Sequence, residues 1–236
     1  MEIECLYEDT ELFVLNKPSG LLVHRGWAKD EITLVDFARH RTPTGTAHPI
    51  QRLDRGASGA VIFAKSAAVA RLLSLQMQEG SCHKSYIAVV RGELQATLDI
   101  DYPINRKEDG PKVPSRTLVE PIAIAETAPR SVSLVKAMPL TGRLHQIRRH
   151  LKHVNHPLIG DVLHGQGVLN RAFRETYGLM RLALHAYEWS IRHPSTNALL
   201  RGLVQAPDDL LVPLIRMGFE RDKIPTSTEV MVEASK

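Results

Sequence analysis

The stretch His48–Ser66, HPIQRLDRGASGAVIFAKS, sets one carboxylate, Asp54, between Arg52 and Arg55 and then turns strongly apolar. Its second half, GAVIFAKS, is short and almost wholly apolar, the composition of a central strand covered on both faces. Ser66 then reads as the N-cap of a helix in which Val69, Leu72, Leu73 and Met77 recur at helical spacing until Gly80 stops it. A lone acid between two guanidiniums at a strand entrance admits two readings. It is a structural ion pair, or it is a reactive carboxylate in an anion-attracting site.

Working outward, ELFVLNKPSG predicts a strand over Leu12–Leu15 that runs into a Pro-Ser-Gly turn. KSYIAVVRG alternates Tyr86, Ala88 and Val90 with Ser85, Ile87 and Val89, the period of a strand, and Gly92 ends it. RSVSLVKAMP and RLALHAYEWSIRHP supply two more strands, and DDLLVPLIRMGF a C-terminal helix interrupted near Pro213. DYPINRKEDGPKVPS, residues 101–115, is polar, broken by three prolines, and reads as a long surface loop. The end, 222–236, has little to bury and is expected to be a frayed tail. No repeat at a fixed period is present, and the pattern is that of a strand-rich mixed fold.

Composition narrows the function classes. A chain of 236 residues, 43% hydrophobic and 24% charged, can bury a substantial core. The formal charge of +4 is a modest basic excess whose meaning depends on its distribution. Two cysteines, Cys5 and Cys82, cannot build a disulfide framework, so a reducing compartment, the cytoplasm, is expected. No apolar run approaches the roughly 20 residues that span a bilayer, so no membrane partner is expected.

The positive charge is concentrated. TGRLHQIRRHLKHVNHP, residues 141–157, holds Arg143, Arg148, Arg149 and Lys152, with no acid until Asp161. A helix starting near Leu144 would turn Leu144, Ile147 and Leu151 to the core and leave Arg149 and Lys152 facing away. A merely solvated helix face usually carries balancing acids, and this one has none, which favours phosphate binding. His145, His150, His153 and His156 admit a zinc reading, since zinc takes converging ligands at about 2 Å. No cysteine or well-placed acid is near, and the interspersed arginines would repel a cation. No metal is expected, and phosphate, base or backbone contacts are the expected uses of these imidazoles.

These motifs together resemble the RluA-type pseudouridine synthases over nearly all of Leu6 to Phe219. The first family motif appears as Asn16-Lys17-Pro18-Ser19-Gly20, with His24 a few residues later. QRLDRGASG matches the signature around the nucleophile, and Lys84 with Tyr86 matches the Lys-x-Tyr motif. The block TGRxHQIRxHL begins at Thr141, IGDxxHG spans Ile159 to Gly165, and RLALHA runs from Arg181 to Ala186. Gln51 stands where most relatives carry His, and Ala57 where Thr is common. Neither change removes the acid or its arginines. The pattern NRxFRExxGLxRLxLHA is closer to a tRNA-modifying branch than to the ribosomal RNA branches.

The resemblance implies an α/β catalytic fold with a central, mostly antiparallel sheet and flanking helices. It implies one catalytic domain over 1–221, lacking the small basic RNA-binding domain that many relatives carry at the N-terminus. It implies isomerisation of a specific uridine in RNA, with uridine 65 in the TΨC stem of tRNA as the expected target. A ribosomal RNA uridine, or a non-catalytic RNA-binding or assembly role, are the alternatives. By resemblance Asp54 is the catalytic aspartate, Arg143 its ion-pair partner, and Tyr86 the residue that stacks on the target base and handles a proton. Arg52 resembles the arginine that fills the gap left by a flipped base, and Leu184 the apolar residue on that base's other face. Arg148, Arg149 and Lys152 are expected on phosphates, and Arg55, Lys84 and Gln146 complete the expected RNA-binding set. No cofactor and no obligate protein partner are implied.

Overall fold

The structure, a computed structural model, describes residues 2–25, 32–105 and 110–234. In chain order its elements are β1 (Cys5–Glu8), β2 (Leu12–Lys17), α1 (Leu34–Arg39), β3 (His48–Pro49), β4 (Ser58–Ala64), α2 (Ala67–Glu79), β5 (His83–Arg91), β6 (Leu98–Asp101), β7 (Ile104–Asn105), β8 (Lys112–Val113), β9 (Arg116–Ala125), β10 (Val132–Pro139), α3 (Gln146–His153), α4 (Gly167–Tyr177), β11 (Leu184–Arg192), β12 (Leu199–Leu203), α5 (Asp208–Arg216) and β13 (Glu229–Glu233). A short 3-10 turn covers Arg221–Lys223. The chain expected as one catalytic domain divides into two compact units. The first is Met1–Lys84, Ala186–Gln205 and Ser227–Lys236, and the second is Ser85–His185 and Ala206–Thr226.

In the first unit β1 pairs with β2 and β2 with β4, while β12 lies between β11 and β13, every pair antiparallel. All seven residues of β4 are buried, as its unbroken apolar run predicts. Leu12, Val14, Ile62, Leu73, Trp189, Ile191 and Leu200 form one core cluster there. Ser66 caps α2, its hydroxyl accepting from the Val69 amide at 3.3 Å, and Gly80 ends the helix in the left-handed conformation at φ 75°. Leu73 is the fully buried residue of α2, whereas Leu72, expected on the same stripe, faces outward.

In the second unit β5, β10, β9 and β6 form an antiparallel sheet in that order. Ser85 through Val90 are all buried, so β5 is covered on both faces and its alternation does not separate a wet face from a dry one. Sequence patterning does not reveal β9, because Pro121 interrupts it. The register slips between Leu134 and Val135, placing Pro121 at an irregularity where a missing amide costs no regular ladder bond.

Three further expectations change. The loop over 101–115 contains the hairpin β7–β8, in which Ile104 pairs with Val113 and Asn105 with Lys112; residues 106–109 lie outside the described residues. The helix expected from Leu144 begins at Gln146, because His145 takes the left-handed conformation at φ 54° and breaks the helical run. The segment expected to fray includes β13, whose backbone pairs with β12 from Leu203–Glu229 to Leu199–Glu233. Backbone pairing needs no large apolar side chain, which is why composition points the other way. Residues 235 and 236 of that segment lie outside the described residues.

Candidate active site

Asp54 stands half-buried on the loop between β3 and β4, with Arg52 and Arg55 exposed on either side. The loop is clasped by the turn that follows β2. The Gly20 amide donates to the Arg55 carbonyl at 2.8 Å, Arg55 Nε donates back to the Gly20 carbonyl at 3.1 Å, and Ser19 Oγ donates to the Gly56 carbonyl at 2.8 Å. Beneath it lies Lys17, 0% exposed. Its ammonium donates to the carbonyls of Leu21 at 2.7 Å, Pro18 at 2.9 Å and Arg55 at 3.3 Å. A buried ammonium is tolerated only when its donors are satisfied; the Pro18 and Leu21 carbonyls hold it within its own turn, and the Arg55 carbonyl ties that turn to the Asp54 loop. The Ala57 amide closes a tight turn on the Asp54 carbonyl at 3.0 Å.

Gly59, at the start of β4, has φ 113°, and a Cβ there would lie 2.1 Å from the Ala186 carbonyl oxygen. Only glycine lets the strand after Asp54 pass this close to β11. Lys84 is half-buried at the start of β5, and burial pushes its ammonium below the usual lysine range.

In the second unit Tyr86 is buried on β5, opposite Ala137 of β10. Arg143 is exposed on the loop before α3, with Nε donating to the Pro114 carbonyl at 3.3 Å. That loop is shaped by Gln146. Its Oε1 accepts from Thr141 Oγ1 at 2.7 Å and from the Arg143 amide at 3.0 Å, and its Nε2 donates to the Arg116 carbonyl at 2.9 Å and to Thr117 Oγ1 at 3.0 Å. Gln146 is therefore a buried organiser of the Arg143 loop, a correction to its expected place among RNA-binding residues.

Arg148 is corrected in the same way. It is buried and makes a two-point ion pair with Asp161, Nε to Oδ2 and Nη2 to Oδ1, both at 2.7 Å. Burial alone would raise the Asp161 carboxyl, but Arg148 and the amides of His164 and Leu163 outweigh it and hold it below the usual carboxylate range. A guanidinium committed in this way is not offered to a phosphate. Lys152 is exposed and Arg149 half-exposed, as expected of the outward stripe, although Arg149 Nη1 also donates to the Asn105 carbonyl at 3.0 Å.

Three of the four histidines of this block, His150, His153 and His156, are structural. His150 is buried with Nδ1 2.9 Å from Thr117 Oγ1 and Nε2 2.9 Å from the Tyr102 carbonyl, and burial keeps its imidazole below the ordinary histidine range. His153 stacks on Tyr102 with ring centroids 3.6 Å apart, and His156 Nδ1 lies 2.8 Å from the Arg91 carbonyl. They fasten α3 to the segment leading into β7 and to the end of β5. Among the described residues no cluster of three potential metal ligands exists.

Leu184, the first residue of β11, is buried, and its carbonyl accepts from Arg181 Nη2 at 3.1 Å. Arg181 also donates to the Leu182 carbonyl and to Asp209 of α5 at 2.7 Å. Sequence reasoning gives Lys17, Asp161 and Arg181 no role of their own. The signal available is a charged residue inside each of three otherwise apolar or turn-forming motifs.

The RNA pseudouridylate synthase family model matches residues 11–153. Tested against curated proteins, the chain is 39% identical over 215 residues to tRNA pseudouridine synthase C of Pasteurella multocida, covering 84% of this chain and 88% of that one. It is also 39% identical over 213 residues to the protein of that name from Haemophilus influenzae, covering 83% and 89%. Among solved structures, human RNA pseudouridylate synthase domain containing 1 superposes with a TM-score of 0.72 at 22% identity, covering 100% of this chain and 91% of that one, a likeness of fold. Among the described residues no helix is long and apolar enough to cross a membrane. The clasped aspartate loop and the Lys-x-Tyr strand thus occur in a chain that belongs to the RluA-type RNA pseudouridylate synthases, enzymes that isomerise uridine in RNA.

Proposed function

We propose that this enzyme acts on tRNA and converts uridine 65, in the TΨC stem, to pseudouridine. The observation that carries the reading is the 39% identity to a protein named tRNA pseudouridine synthase C over 88% of that protein's length. Asp54 acts as the nucleophile at the target uridine. The N1–C1′ bond breaks, the base turns, a C5–C1′ bond forms, and the C5 proton is lost while N1 gains one, so the product is an isomer and no cofactor is consumed. Tyr86 stacks on the base and handles the C5 proton, Arg143 is the cation serving the carboxylate, and Arg52 fills the stack when the base leaves it. Leu184 bounds the base, Arg149 and Lys152 hold phosphates, and Arg55 and Lys84 add positive charge beside them.

The test is to incubate the purified enzyme with unmodified tRNA and ribosomal RNA transcripts and map every pseudouridine formed. Product confined to tRNA position 65, and lost by at least about a thousandfold in Asp54→Asn, supports the reading. Product only at a ribosomal site rejects the tRNA target. Normal turnover by a folded Asp54→Asn protein rejects the nucleophile.

A further inference from the structure

Val162 and Leu163, in the loop between α3 and α4, are 87% and 62% exposed, and Leu144, before α3, is 43% exposed. Exposed apolar side chains are common singly, but these occupy a loop that is fixed rather than loose. Asp161 Oδ1 accepts from the Leu163 and His164 amides, both at 2.9 Å, while Arg148 grips the same carboxylate. The Asp161 carbonyl accepts from Asn170 Nδ2 at 2.8 Å, and Asn170 Oδ1 accepts from the Gly160 amide at 2.9 Å. At the loop's root the Ile159 amide donates to the Val89 carbonyl at 2.9 Å. His145 Nδ1 lies 3.2 Å from His164 Nε2, which joins the Leu144 end to the Leu163 end in one rim.

The charge around this rim is one-sided. From residue 127 to residue 174 the only acid is Asp161, and Arg148 neutralises it below the surface. Arg143, Arg149 and Lys152 belong to the same stretch. A second copy of this chain would set cations against cations. A nucleic acid strand offers the matching chemistry, with anionic phosphates beside the apolar faces of sugars and bases. We propose that the rim formed by Leu144 and His145 with Val162, Leu163 and His164 is an additional RNA-binding patch, in which the apolar side chains pack on a nucleotide next to the phosphates held by α3. The patch deepens the tRNA reading above and rests on it for the identity of the RNA. Burial and the neighbouring Arg148 keep His164 below the ordinary histidine range, and with its Nε2 set against His145 its Nδ1 is the ring nitrogen left to meet a ribose 2′-hydroxyl.

The experiment compares wild type with Val162→Ser/Leu163→Ser, using an unmodified tRNA transcript and a salt series, with the folding of each protein checked by thermal unfolding. The double variant is expected to melt as wild type does and to bind about tenfold more weakly, with the slope of log K against log salt unchanged, because apolar packing releases no counterions. Should the serine pair fail to fold, Val162→Ala/Leu163→Ala carries the same comparison. Affinity within twofold of wild type overturns the proposal, as does a wild-type dimer that the variant dissociates, since the rim would then cover another copy. The two readings separate cleanly. A wild type that makes no pseudouridine in tRNA while the variant still loses tRNA binding rejects the tRNA-modifying reading and keeps the patch. A wild type that isomerises tRNA alongside a variant that binds normally does the reverse.

Discussion

The backbone of Gly59 passes so close to Ala186 that a single methyl group on Gly59 would sit 2.1 Å from the Ala186 carbonyl oxygen and 2.7 Å from its carbon. The obstacle is main chain within a sheet and cannot rotate away, and φ 113° is itself unfavourable for an L side chain. Gly59→Ala is expected to cost about 3 kcal/mol or more in urea unfolding. A stability within about 1 kcal/mol of wild type would show that β4 has freedom to move away from β11.

The Arg148–Asp161 pair predicts an asymmetry between single and double replacement. Asp161→Asn leaves a buried guanidinium without its charge partner and is expected to cost about 3–5 kcal/mol, whereas Arg148→Met/Asp161→Leu removes both charges and is expected to cost less than either single change. Because the Asp161 carboxyl is held below its ordinary range in the fold, its contribution is fully present at neutral pH and is lost as pH falls below about 4. Chemical unfolding of the single and double variants at pH 7 tests the order. A double variant worse than Asp161→Asn would refute it.

His150 gives a second pH dependence. Its folded imidazole stays neutral below the pH at which the unfolded one gains a proton, so the unfolded chain binds more protons and stability falls as pH drops below about 6.5. Half-buried His164, held below the ordinary range in the same way, acts in the same direction. The urea midpoint is expected to decline between pH 7.5 and 5.5, and His150→Gln is expected to flatten that decline while costing about 1–2 kcal/mol at pH 7.5. Parallel pH profiles for the variant and wild type would remove His150 from the account.

Arg149 and Lys152 are the outward cations of α3. Replacing both with Gln is expected to weaken binding to a duplex-containing RNA and to reduce the salt slope of log K by about 0.7–0.9 for each phosphate no longer neutralised. An unchanged slope and affinity would make the stripe solvated surface.

Much of this is legible in the sequence where local chemistry decides. Ser66 and Gly80 bound α2 as their cap chemistry predicts, and the apolar run after Gly59 is a strand buried on both faces, as its composition requires. What the sequence hides is set by partners far along the chain. Pro121 disguises β9, whose slipped register against β10 cannot be seen from β9 alone. Gln146 and Arg148 read as RNA-binding residues because polar side chains in a basic motif look outward, yet Thr117 and Asp161 turn them inward. Four histidines within twelve residues suggest ligands, and the backbone carbonyls of Tyr102 and Arg91 that claim two of them lie about fifty or more residues away.

Lys17 also makes the protein its own detector of local opening. An amine shut away from solvent and engaged by three carbonyls is shielded from acylating reagents until the turn releases it. One of those carbonyls belongs to Arg55, the neighbour of Asp54, so release of the amine coincides with loosening of the loop that carries the carboxylate. The pace at which a mild amine reagent marks position 17 under native conditions therefore times the excursions of that loop, with no probe introduced and no residue changed.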